Sequence, residues 1–184
     1  MCERNKLFLL DLARNVILKK NKEIDFDKSF LDEDLLEKRG CFVTLTIDDK
    51  LRGCVGYILP YLPLYKAVIE NAYNAAYGDY RFEPLSENEY TAINIEISIL
   101  SIPENIQYVN FDDLLNQINP ATDGLILNHQ GSSATFLPQV WTQLPDKEDF
   151  LSQLSLKAGL KKDAWKSNDM QVQKYNVQII KDIK

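Results

Sequence analysis

Between positions 93 and 99 the chain reads Ile-Asn-Ile-Glu-Ile-Ser-Ile, with isoleucine at every second position and a polar residue in each gap. Strict period two places the four isoleucines on one side of an extended backbone and Asn94, Glu96 and Ser98 on the other; a helix would scatter them around its axis. Isoleucine is also stiff at its first side-chain torsion and packs well on a pleated surface. A chain containing this segment has to build a sheet with one covered face and one polar face. Pro103 ends the run.

A second stretch with the same period fixes how that sheet begins. Cys41 to Ile47 alternates, Asp48-Asp49-Lys50 reads as a turn, and Leu51 to Ile58 returns. Pairing Ile47 with Leu51 sets Cys41, Val43, Leu45 and Ile47 opposite Tyr57, Val55, Gly53 and Leu51, which is one apolar face. The other face then has Thr46 opposite Arg52, Thr44 opposite Cys54 and Phe42 opposite Gly56. In this register Arg52 and Cys54 share the polar side, their Cα atoms about 6.6–6.8 Å apart along the strand. Six residues, Leu51-Arg52-Gly53-Cys54-Val55-Gly56, thus combine a guanidinium, a thiol and two positions without side chains.

Helical spacing predicts a first helix over Asn5–Lys20, with Leu7, Phe8, Leu9 and Leu10 making its early turns apolar almost all round and well buried. A charge-rich connection follows from Asn21 to Glu33, then a short helix over Asp32–Lys38 with Gly40 just past its end. Pro60 and Pro63 precede a helix from Leu64 to about Tyr77 whose Ala67, Ala72 and Ala75 suit close packing on the sheet, and Gly78 closes it. Further along, the pattern predicts a helix over Phe111–Ile118, a hairpin of Gly124–Gln130 with Ser133–Leu137, a helical turn from Pro138, and a helix over Asp146–Ala158 ended by Gly159. A final strand over Val172–Ile180 is expected to bury Tyr175, Val177 and Ile179. Helices and antiparallel hairpins alternate without a βαβ repeat, so the fold class is α+β. We expect a single domain over residues 1–184, with a larger lobe of about 1–105 and a smaller one of about 106–184.

Composition narrows the function classes. At 184 residues and 45% hydrophobic, the chain can bury a core without disulfides or a structural metal. Its net charge of −6 disfavours general nucleic-acid binding, although Lys157–Lys184 carries seven lysines against three aspartates. Three cysteines (Cys2, Cys41, Cys54) without C-x-x-C spacing and one histidine, His129, cannot assemble a Cys/His zinc site, so no metal is expected. With no apolar run approaching a membrane span and no signal-peptide layout at the start, the expected location is the reducing cytoplasm, away from membranes.

The side chains that bear chemistry admit two readings each. Beside Arg52, Cys54 is a candidate catalytic nucleophile or redox thiol, because a cation lowers a thiol's pKa. The alternative is a small packed cysteine, with Arg52 paired to a carboxylate such as Asp79. Asp79 and Arg81, in the loop after the Leu64–Tyr77 helix, either converge with Arg52 on a small anionic ligand or form an ion pair that holds the loop. Thr44 and Thr46 would line the floor of such a site. His129, in phase with Leu125 and Leu127, reads as structural or as a base, and Phe136–Trp141 as a recognition patch or a packed corner between lobes.

Gly40-Cys41-Phe42-Val43-Thr44-Leu45 together with Leu51-Arg52-Gly53-Cys54-Val55-Gly56 resembles the signature of the AMMECR family, whose prokaryotic members are called AmmeMemoRadiSam system protein A. The resemblance continues through Asp79-x-Arg81-Phe82-x-Pro84-Leu85, Ala134 to Val140, Phe150-Leu151 … Lys157-Ala158-Gly159-Leu160, and Tyr175 … Val177-Gln178. Within the signature Val55 departs from the family's usual isoleucine, a change confined to the apolar face. The resemblance implies a two-lobed fold, a cytosolic protein requiring no cofactor, and association with Memo-type and radical-SAM proteins. It names no reaction; the expectation is a ligand- or partner-binding domain, with a thiol enzyme using Cys54 as the alternative.

Overall fold

A computed structural model describes residues 1–182 and divides the chain into two compact units, one of Met1–Ile102 plus the chain from Gln178 onward and one of Pro103–Val177. The architecture is α+β, with two four-stranded sheets.

In the first unit, β1 (Cys41–Ile47), β2 (Lys50–Tyr57), β3 (Asn94–Leu100) and β8 (Val177–Lys181) lie in the order β2-β1-β3-β8. Its apolar face carries the alternating residues: Val43, Leu45, Ile95 and Ile97 are buried there with Leu9, Ala13, Val16 and Ile17 of α1 (Glu3–Lys19) and Ala67, Val68, Ala72 and Ala75 of α3 (Leu64–Tyr77). Helix α1 is more one-sided than its sequence suggests, for Leu7 is 53% exposed while Leu9 and Leu10 are buried. The short α2 spans Glu33–Leu36, with Asp32 accepting from the Leu35 N–H as its N-cap. It stops before Lys38 because the next carbonyl, Glu37 O, receives the Leu64 N–H at 2.9 Å and the Arg39 N–H goes to Leu62 O at 3.3 Å. Gly40 therefore caps nothing. It allows the carbonyl of Ile58 to approach, at 2.1 Å from where a Cβ would stand.

The first hairpin is tighter than expected at its tip and irregular one step inside it. Asp48 and Asp49 both have positive φ (48° and 60°), which makes a two-residue turn with Lys50 already opposite Ile47. Pairing from Cys41↔Tyr57 to Leu45↔Gly53 follows the expected register, but Thr46 faces Leu51 and the ladder shifts between Leu45 and Thr46. Arg52 is the extra residue of a β-bulge, so register no longer sets its side.

In the second unit, β4 (Glu104–Asn105), β7 (Gln171–Tyr175), β5 (Gly124–His129) and β6 (Ser132–Phe136) form a sheet in the order β4-β7-β5-β6. With α4 (Phe111–Gln117) and α5 (Lys147–Lys157) it encloses Leu125, Leu127, Phe150, Leu154, Trp165 and Val172. Asp146 caps α5 and Gly159, at φ 75°, follows its end. The expected single strand Val172–Ile180 is in fact two strands, β7 and β8, in different sheets. The change of sheet near Asn176 resets the alternation: Tyr175 is buried, Ile179 is 43% exposed and Ile180 is buried.

Candidate functional site

The Leu51–Gly56 segment lies on β2, an edge strand, and its two glycines serve close approach rather than flexibility. A Cβ on Gly53 would stand 2.0 Å from the carbonyl oxygen of Ala75, so α3 lies directly against the strand backbone there. One on Gly56 would meet Cys41 O at 2.3 Å and Phe42 Cα at 2.5 Å. With Gly53 turned toward α3, its neighbour Cys54 turns the other way. Its Sγ accepts from Thr44 Oγ1 at 3.3 Å, which puts thiol and hydroxyl on the polar face.

An edge strand offers unpaired backbone groups, and Asp79 with Arg81 takes up both of those on Cys54. Asp79 Oδ2 accepts the Cys54 N–H at 2.9 Å, and Arg81 Nη2 donates to the Cys54 carbonyl at 3.0 Å. The two side chains are bound to each other through Arg81 Nε to Oδ1 (2.9 Å) and Nη2 to Oδ2 (2.6 Å). The result is a clip in which an ion pair occupies the place of a neighbouring strand. The Asp79 side chain is 4% exposed and that of Arg81 45%.

Arg52 is used in the same loop, but its partner is not Asp79. Its Nε and Nη2 donate to the two carboxylate oxygens of Glu89 at 2.6 and 3.1 Å, and Nη1 donates to Glu83 O at 3.0 Å. Glu89 also accepts the backbone N–H and hydroxyl of Ser86 at 2.9 and 2.8 Å, closing a capping box on the 3-10 turn Glu87–Glu89. Sequence reasoning missed Glu89. Its signal was present in Ser86-x-x-Glu89, the spacing by which a serine and a glutamate satisfy each other's backbone donors.

The structure therefore brings Cys54, Thr44, Asp79 and Arg81 into one connected set of bonds, places Arg52 in a separate one with Glu89 and Glu83, and leaves Thr46 further along β1 opposite Leu51 and Asn94. Among the described residues, the group bonded to the Cys54 thiol is a hydroxyl donor and no base contacts it. Cys41 is the buried thiol: loss of solvation pushes it up to about 12, against a hydrogen bond from Asn71. His129 bonds Asp169 through Nε2 at 3.0 Å. Trp141 belongs to the core of its own unit, stacked on Phe150 at 3.6 Å and donating to Asp123 O at 2.7 Å. Among the described residues no group of three or more His, Cys, Asp or Glu could hold a metal ion, and no helix is long and apolar enough to cross a membrane.

The carboxylates of Asp79 and Glu89 are both acidified. Hydrogen bonds from Arg81, then from the Cys54 and Arg81 backbones, hold Asp79 well below the usual carboxylate range against its burial. Arg52, then Ser86, lowers Glu89 from 4.5 to about 2. A carboxylate depressed in the folded state stabilises it above the unfolded-state pKa, and that contribution disappears as pH falls through the folded value. The urea midpoint is accordingly expected to fall between about pH 4.5 and about pH 2, and Glu89→Gln to flatten that part of the profile. An unchanged slope in the variant would remove Glu89 from the account.

Comparison with known proteins finds relatives that match most of the chain. A family model described as AMMECR1 matches residues 10–180. A protein of Methanopyrus kandleri is 37% identical over 182 residues, covering 95% of this chain and 87% of the relative. One from Methanocaldococcus jannaschii is 40% identical over 150 residues, covering 80% and 75%. The crystal structure of an uncharacterized protein from Pyrococcus horikoshii superposes with a TM-score of 0.78 at 37% identity, over 94% of this chain and 88% of that one.

Proposed function

The chain belongs to the AMMECR1 family, and on that premise we propose that it is a binding domain whose ligand docks where Arg81, Cys54 and Thr44 meet. The ligand is acidic, either a small anion or a carboxylate on a partner-protein segment. Memo-type and radical-SAM proteins are the partners we propose for the second case.

The observation that best supports this reading is that the clip holds Cys54 by its backbone alone. The thiol and the Thr44 hydroxyl are left to the polar face. Arg81 meets Asp79 through Nε and Nη2, so Nη1 takes no part in these bonds and the side chain stays 45% exposed. An incoming carboxylate can accept from that outer edge without displacing Asp79. Arg52 is committed to Glu89 and acts by holding the loop, with Thr46 extending the floor along β1.

Because the clip needs no side chain at position 54, Cys54→Ala and Thr44→Val alter the face and spare the clip. Immobilised wild type should capture an acidic metabolite or an acidic protein segment from lysate, and each variant should lose that capture at unchanged thermal stability. Capture that is indifferent to both substitutions, or confined to neutral and basic species, would contradict the proposal.

A further inference from the structure

The outer edge of β2 is closed at Cys54 and open two residues further on. Backbone groups of a strand face its two sides alternately, and the phase here is set from the far side of β1. The Leu100 N–H donates to Gly40 O, so Gly40, Phe42 and Thr44 bond toward β3, while Cys41, Val43 and Leu45 bond toward β2. Their partners Tyr57, Val55 and Gly53 spend their backbone groups on β1, and Cys54 and Gly56 turn theirs outward. Those of Cys54 are taken by Asp79 and Arg81. Among the described residues nothing bonds the Gly56 N–H or carbonyl.

The order of groups along this edge selects what can pair there. A residue's carbonyl lies on the C-terminal side of its N–H. Arg81, on the Cys54 carbonyl, therefore stands between Asp79, on the Cys54 N–H, and Gly56. Its Nε and Nη2 meet Asp79, which leaves Nη1 on the side away from that carboxylate, the side of Gly56. An outward carbonyl of an edge strand lies in the plane of the sheet, so the guanidinium it binds occupies the line that an added strand would follow. A chain pairing with Gly56 cannot run on past Cys54, and its advancing end meets a cation. Asp and Glu side chains on such a chain stand perpendicular to the sheet, out of that line. A terminal carboxylate lies in it.

We propose that β2 binds the C-terminal end of an extended protein segment, added antiparallel at Gly56 with its terminal carboxylate on Arg81 Nη1. The inference rests on the reading that Arg81 receives a carboxylate, and it names the source of that carboxylate. A register follows. The penultimate residue donates its N–H to Gly56 O and accepts the Gly56 N–H at its own carbonyl, and the last residue stands opposite Val55. Side chains directly opposite share a face. The penultimate one joins Cys54 and Thr44 on the polar face, and the last joins Val55 on the apolar one.

Gly56 admits no side chain, since a Cβ there would stand 2.3 Å from Cys41 O, so the ligand is varied instead of the protein. Acetyl-Val-Thr-Val with a free carboxyl end is titrated into the full chain while the Gly56 amide and the Arg81 Nε–H are followed by NMR. Its C-terminal amide, its analogue N-methylated at the threonine, and acetate serve as comparators. The parent peptide should shift both resonances saturably, and acetate that of Arg81 alone. Amidation should weaken binding more than about tenfold, the range for a hydrogen bond to a charged group, and N-methylation about two- to tenfold, the range for a neutral one. Gly56 unmoved by the peptide, or affinity indifferent to amidation or to N-methylation, would overturn strand addition. A shift of Arg81 by acetate would then leave the carboxylate reading standing, and no shift by either ligand would remove both.

Discussion

Replacing Gly53 by alanine is expected to destabilise the protein by about 3 kcal/mol, the upper range for forcing a group into a packed interior. For a chain of this size that is a fall of about 6–12 °C in the thermal midpoint. The obstacle is the Ala75 carbonyl oxygen, 2.0 Å from the new methyl group, and it belongs to the backbone of α3. No side chain can rotate out of the way. The helix or the strand has to move, and either movement opens the core between Leu45 and the α3 alanines. Ala75→Gly should therefore fail to rescue Gly53→Ala. Gly131→Ala makes a control of a different kind: nothing lies within 4 Å of its Cβ, and the φ of 88° is its main cost, which is of order 1–2 kcal/mol. Scanning calorimetry on the three variants decides the matter. If Gly53→Ala melts within a degree or two of the parent, close approach of α3 is not what the glycine provides.

Asp79→Ala is the second large effect, at about 2–3 kcal/mol. The carboxylate is almost completely buried and accepts from the Cys54 N–H, the Arg81 N–H and the Arg81 guanidinium. Deleting it leaves the amide without an acceptor, whereas Arg81, half exposed, can return to water. The loss should be concentrated at the strand edge. Amide exchange at Cys54 is expected to accelerate by at least about tenfold, corresponding to roughly 1.4 kcal/mol of local protection, and alkylation of the Cys54 thiol should quicken as the edge loosens. Asp79→Asn should recover part of the loss, since it retains an acceptor for the amide. Exchange at Cys54 that stays at the parental rate in Asp79→Ala would show that the clip does not hold the edge.

Much of the first unit is legible in its residues. The period of two in Cys41–Ile47 and in residues 93–97 corresponds to buried and less buried faces, because successive side chains on a strand point to opposite sides whatever the rest of the chain does; at Ser98, expected on the polar side, the burial matches that of Ile99, both 4% exposed. The central register of the hairpin, Thr44 against Cys54 and Val43 against Val55, follows from matching apolar to apolar. The α3 helix spans Leu64–Tyr77 and has its alanines against the sheet. In the second unit the cap at Asp146 and the left-handed Gly159 close α5 as local chemistry requires.

What the residues alone did not reveal depends on where distant parts of the chain arrive. The bulge at Arg52 arises where a two-residue Asp48-Asp49 turn meets a register fixed further down by Gly53 against α3. Nothing within the hairpin shows that α3 comes so near. The sheet change at Asn176 is equally hidden: Gln171–Lys181 alternates well enough for one strand, yet its halves pair with partners in separate sheets. The choice of Glu89 over Asp79 for Arg52 depends on a loop that closes back over the strand.

For the Leu51–Gly56 segment the division is clear. Sequence by itself determined that Cys54 lies opposite Thr44 on the polar side, because side-chain alternation and apolar matching are local. Only the tertiary structure decided what its neighbours do. The two glycines admit a helix carbonyl and a strand backbone, Arg52 is held by Glu89, and the Asp79–Arg81 pair occupies the strand's open edge. The physical reason is reach: steric alternation acts between adjacent residues, whereas a buried carboxylate is positioned by whichever donors the folded chain brings within about 3 Å of it.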